Sequence, residues 1–168
     1  MPHHTPEVRD MAMQLQSDAF APNQPIPKTY TGDGEDVSPP LRWSGLPEGT
    51  KGLAMIVDDP DAPTAEPFVH WVIYAIPAPA PGLPEGVPKQ STLTTPAGAL
   101  QGRNSFSKIG YGGPAPPRGH GTHHYHFHLH ALDEPLNVQA GLDANALRAA
   151  MSGHVLDETD LVGTYERR

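Results

Sequence analysis

A chain of 168 residues is most economically a single domain, long enough to bury a real core. Eleven basic against nineteen acidic residues give a net charge of −8 with histidine neutral, which argues against nucleic acid as a partner, since phosphate-backbone binding needs a basic face. The absence of cysteine excludes disulfides and thiolate zinc sites, and no apolar run approaches the roughly 20 residues that span a bilayer.

Residues 1–12 read as a flexible tail ahead of one domain, 13–168. They lack the basic segment and apolar core of a secretory signal, so cytoplasmic residence is the default. Alternation then dominates. Met13 and Leu15 face a core while Gln14 and Gln16 face out. Leu41 to Trp43 start a short strand. Gly52 to Val57 form a buried strand that DDPDAP, residues 58–63, breaks. Phe68 to Ile76, rich in β-branched and aromatic residues, is the best strand of the chain.

Pro77, Pro79, Pro81 and Pro84 then forbid regular structure. Residues 86–113 read as loop with one edge strand near Ala99 to Arg103. Thr122 to Leu132 is a second strong strand. Asp143 caps a helix through Met151, with Leu147, Ala150 and Met151 on one side and Gly153 ending it. Asp160 to Tyr165 close the chain as a strand. Short strands, 21 prolines, 17 glycines and one late helix predict a mainly β fold, an antiparallel two-sheet β-sandwich.

Four groups of residues could carry chemistry. Asp58, Asp59 and Asp61 sit where the chain leaves a strand, although Asp-Pro-Asp is also ordinary turn chemistry. His70 opens the strand HWVIYAI, with Trp71 on the opposite face by alternation. Five histidines fall between positions 123 and 130 and separate by parity. His123, Tyr125, Phe127, Leu129 and Ala131 share one face, polar at its start and apolar beyond. His124, His126, His128 and His130 share the other, which reads as a solvated or interfacial face. Four neighbouring imidazoles repel on protonation, so a dimer built there weakens near about pH 5–6. The loop before them, GYGGPAPPRG, contains Gly110, Gly112, Gly113 and Gly119, glycines that allow several amides to converge on an anion. It lacks the Gly-Lys-Ser/Thr ending of a nucleotide loop.

DPDAP at 59–63, HW at 70–71, GYGGPAPPRG at 110–119 and H-x-Y at 123–125 stand in the order found in phosphatidylethanolamine-binding proteins. IPKTYTGDGEDVSPPLRW and SGHVLDETDLVGTY extend the likeness over about residues 13–168. The chain most resembles the bacterial, Raf-kinase-inhibitor-like branch. That resemblance implies a two-sheet antiparallel sandwich with a small pocket for phosphate-like anions, formed by Asp59, Asp61, His70, Pro117, His123 and Tyr125. Gly110, Gly112 and Gly113 would shape the adjoining loop. It also implies a ligand-binding or regulatory protein rather than an enzyme, without cofactor. Its partners would be a small anionic or zwitterionic phosphoryl ligand and a kinase or protease, and it would be a homodimer.

One departure is plain. The motif that usually reads Gly-x-His-Arg-Tyr is here Gly121-Thr122-His123-His124-Tyr125, which puts a partner contact through a fixed guanidinium in doubt. In the expected pocket His70, His123 and Tyr125 donate to the anion, while Asp59 and Asp61 orient the imidazoles and keep them protonated. The rival reading is a metal-dependent enzyme using His70, His123 and Asp59. A serine hydrolase is weaker, because Ser105 and Ser107 lie in no Gly-x-Ser-x-Gly elbow.

Overall fold

A strand whose apolar residues do not alternate with polar ones must be covered on both sides. The run Leu53-Ala54-Met55-Ile56-Val57 meets that condition in the computed structural model, which describes residues 12–168. It forms most of β3 (Gly52–Asp59), buried along its whole length. β3 is the middle strand of a five-stranded sheet in the order β6-β4-β3-β7-β8. The others are β4 (Phe68–Pro77), β6 (Leu100–Gln101), β7 (His123–Leu132) and β8 (Val155–Tyr165). A smaller sheet, β1-β2-β5, covers one face with β1 (Gln14–Gln16), β2 (Leu41–Ser44) and β5 (Gly82–Leu83). All named pairings are antiparallel.

The inner face of the large sheet contributes Leu53, Met55, Val57, Trp71, Ile73, Phe127 and Leu129. These pack with Leu15, Leu41, Trp43 and Leu83 of the small sheet. The outer face contributes Ala54, Ile56, Val72 and Tyr74, covered by Leu147 and Met151 of α1 (Ala144–Met151). The architecture is therefore a two-sheet sandwich with one helix laid on its outside. Asp143 caps that helix, its carboxylate accepting from the Ala146 amide at 2.8 Å. No helix among the described residues is long and apolar enough to cross a membrane. The expected tail, residues 1–12, lies outside the described residues but for Ala12.

DDPDAP does not end β3 at Val57. Asp58 and Asp59 continue the strand opposite Val69 and Phe68, because β4 supplies a partner that far. The proline-rich segment does hold a strand, β5, between Pro81 and Pro84. It fits because Gly82 has no side chain, and a Cβ there would lie 2.1 Å from the Leu41 carbonyl oxygen. β8 begins five residues earlier than Asp160, since β7 continues to pair with it as far as Leu132.

β4 does not keep strict alternation. Its register against β3 slips once between Val57 and Asp58, where Trp71 and Val69 are the successive partners and His70 is left unpaired. Such a bulge re-aims the extra residue. His70 consequently faces the same side as Trp71, contrary to simple alternation. A second slip, between Leu53 and Met55, accommodates Ala75 at φ 53°.

Truncating the buried side chain in Leu129→Ala should cost about 2–5 kcal/mol in urea unfolding. Asp143→Ala, which removes only a helix cap, should cost about 1 kcal/mol.

Candidate functional site

Because β4 and β7 both flank β3, the Asp59 end of β3 brings three strand ends to one rim. A cavity of about 240 Å³ opens there on the inner side. Asp59 lines it from β3, Phe68 and His70 from β4, and His123 and Tyr125 from β7. Ala62 to Thr64, Phe106, and the wall Ala115-Pro116-Pro117 complete it. A larger depression of about 520 Å³ lies beside the start of α1, but the smaller cavity holds the buried titratable groups.

His70, 4 % exposed, donates from Nδ1 to the Gly112 carbonyl at 2.6 Å. Its Nε2 meets no described hydrogen-bond partner. Burial lowers the His70 pKa below its usual value, outweighing the opposing Gly112 carbonyl and Asp59 carboxylate. The ring is therefore neutral near pH 7, with a bare lone pair on Nε2, rather than held protonated. Tyr125 stands edge-on to it, the ring centroids 5.2 Å apart. Its hydroxyl is likewise without a described partner, and burial first, then the Asp59 charge, raises its pKa.

His123 is 1 % exposed and fully engaged. Its Nδ1 donates to Asp59 Oδ2 at 2.6 Å, and its Nε2 shares a proton with His120 Nδ1 at 2.6 Å. Asp59 Oδ1 accepts from the Asp61 amide at 2.8 Å, so both carboxylate oxygens are occupied. This is how an aspartate can sit in a buried site: its charge is spent on an imidazole and an amide.

The structure brings together Asp59, His70, Pro117, His123 and Tyr125. It does not bring Asp61 to the cavity. The Asp61 carboxylate turns outward to the amide and ring of His124, both at 2.8 Å. Burial pushes its pKa up, but those two bonds outweigh it and hold the group low. Nor do the glycine amides converge on an anion. Those of Gly110, Gly112 and Gly113 donate to Gly102 O, His70 O and Asp36 Oδ1. Gly112 and Gly113 instead permit close approach, since a Cβ would lie 2.6 Å from the Phe106 ring and 2.5 Å from Tyr30 O respectively.

Phe68, Phe106 and His120 escaped sequence reasoning. Only Phe68 carried a usable signal, standing directly opposite Asp59 once β3 is extended. On the outer face, three of the four histidines stand beside carboxylates rather than in plain solvent: His124 by Asp61, His128 by Asp58 and Asp160, His130 by Glu158. These partners offset the mutual repulsion expected of the imidazoles.

The sequence matches the family model for phosphatidylethanolamine-binding protein over residues 16–166. The chain belongs to that family. It is 50 % identical over 158 residues to a UPF0098 protein of Pyrococcus horikoshii, covering 94 % of this chain and 78 % of that one. The crystal structure of a Chlamydia trachomatis homologue of the phosphatidylethanolamine-binding proteins superposes with a TM-score of 0.83 at 38 % identity, over 94 % of this chain and 99 % of its own. Escherichia coli YbcL, described as a member of the mammalian family, gives 0.86 at 33 % identity, over 93 % and 99 %. The sandwich and its late helix are thus the family architecture.

A depressed His70 pKa makes the folded state bind fewer protons than the unfolded one, so this residue's stabilising contribution is present above the unfolded pKa and fades as pH falls through the folded value. Ring ¹⁵N NMR at pH 7 should show His70 protonated at Nδ1 and bare at Nε2. Its titration midpoint should lie below about 6.5.

Proposed function

We propose that this family member is a non-catalytic binding protein whose cavity takes a small phosphoryl group, as in phosphoethanolamine or a phosphorylated partner. The carrying observation is that His70 Nε2 and the Tyr125 hydroxyl, both without described partners, belong to adjacent rings lining one cavity. At about 240 Å³ it is smaller than the roughly 300–1,000 Å³ of drug-sized pockets and suits a headgroup-sized guest. The family description, which names phosphatidylethanolamine, points to the same chemistry.

Binding takes up a proton at His70 Nε2, which turns an acceptor into a charged donor facing the phosphoryl oxygen. Tyr125 adds a neutral donor. His123 joins only if His120 leaves its Nε2, so His120 acts as an internal competitor. Each charge-assisted bond contributes about 1.5–3 kcal/mol, which gives modest affinity after the costs of association.

Calorimetry with glycerophosphoethanolamine, whose phosphodiester keeps a constant charge, should show affinity falling as pH rises from 6 to 8, by at most about tenfold per unit. His70→Ala should weaken binding by about ten- to a hundredfold. His120→Ala should tighten it by freeing His123. Wild-type affinity in both His70→Ala and Tyr125→Phe would remove the reading.

The proposal extends to a homodimer in the cytoplasm that acts on a kinase or protease partner. β8 is an edge strand, and backbone bonds from Asn23 and Ile26 and to Gln24 cover only its Val162–Thr164 end. The other end exposes Val155 and Leu156. Light scattering should report a dimer that Leu156→Lys converts to monomer.

A further inference from the structure

The outer face of β7 holds a second constellation, independent of the cavity. His126 and His128 stack with ring centroids 5.6 Å apart and planes 15° from parallel. β8 places Asp160 directly opposite His128. One nitrogen from each ring and one Asp160 oxygen all lie within 4.8 Å of one another.

His128 is held at both ends. Its Nδ1 is 2.8 Å from Asp160 Oδ1, and its Nε2 is 3.1 Å from Asp58 Oδ1. Asp58 is itself only 10 % exposed and has Arg148 Nη2 at 3.7 Å. The His126 ring, by contrast, makes no hydrogen bond among the described residues, although its backbone is paired in the sheet. We propose that His126, His128 and Asp160 bind one divalent transition-metal ion of the zinc class, with Asp58 orienting His128 from behind.

The chemistry of the donors sets the class. Two imidazoles and one carboxylate suit zinc, nickel or copper, whereas magnesium and calcium take oxygen donors. Metal–ligand bonds of about 2.0–2.2 Å are reached by small side-chain movements from the present separations. The proton that His128 now shares with Asp160 is the one a metal displaces. His128 then keeps its other proton on Nε2, donated to Asp58. A carboxylate behind a ligating imidazole is the arrangement that fixes its tautomer and raises its basicity. Three protein ligands leave a fourth position open, and the half-exposed Asp160 marks the side from which water or a further ligand would enter.

The test is equilibrium dialysis and calorimetry of Zn²⁺ against untagged full-length chain, with Mg²⁺ and Ca²⁺ alongside. One zinc per chain should bind at micromolar concentration or below, and neither alkaline-earth ion should bind. His126→Ala and His128→Ala should each weaken zinc at least tenfold. Asp58→Asn, which touches no metal, should weaken it by about 10–100-fold. His3 and His4 are present in every variant, so they cannot produce these differences. His154→Ala disrupts the exposed Asp133–Glu134–His154 group and should leave binding unchanged. Circular dichroism of each variant confirms that the sheet persists. Zinc affinity unchanged in His126→Ala, or lost in His154→Ala, would overturn the assignment, as would no zinc binding at millimolar concentration.

Discussion

Two consecutive aspartates on one strand paired along both edges organise this molecule. β3 is locked between β4 and β7, so the alternation of its side chains is not free to change. Asp59 must therefore point inward to His123, and Asp58 must point outward to His128. Each carboxylate is taken out of water and each is answered by an imidazole. A charge buried without such a partner would be costly. The hydrophobic run that precedes the aspartates thus fixes the position of both polar clusters.

The two faces then solve the same problem differently. Inside, the geometry is closed: Asp59 has both oxygens engaged, His123 both nitrogens, and His70 one of two. What remains unspent is His70 Nε2 and the Tyr125 hydroxyl. Outside, the cluster is open and rich in carboxylate. Asp58, Asp160, Glu158 and Asp61 surround imidazoles that cannot all share one cation. The two sides of one sheet thus carry unlike polar clusters, an enclosed one with two free hydrogen-bonding groups and an open one rich in carboxylate.

Most of the fold was legible because its determinants are local. The uninterrupted run in β3, the parity of β7 and the cap at Asp143 each state their outcome directly. The family motifs named the cavity's neighbourhood, and the strands deliver Asp59, His70, His123 and Tyr125 to it. What escaped was set by pairing at a distance. Nothing in PFVHWV announces a bulge, so His70 and Trp71 read as opposite faces. Nothing in RGHG announces that His120 will cover His123. Asp61 and the glycine amides had two sets of partners available, and the outward His124 ring, Asp36 and backbone carbonyls took them.

The length mismatch between two paired strands has its own evolutionary consequence. β3 spends eight residues and β4 ten over the same span, yet Gly52 still meets Pro77 and Asp59 still meets Phe68. The two surplus residues cancel in phase, so both hairpin ends stay in step. A single deletion in that hairpin would leave the strand well formed and turn its imidazole to the wrong side. Only paired losses or gains are neutral there, which makes the count of residues from Phe68 to Pro77 as binding a constraint as their identity.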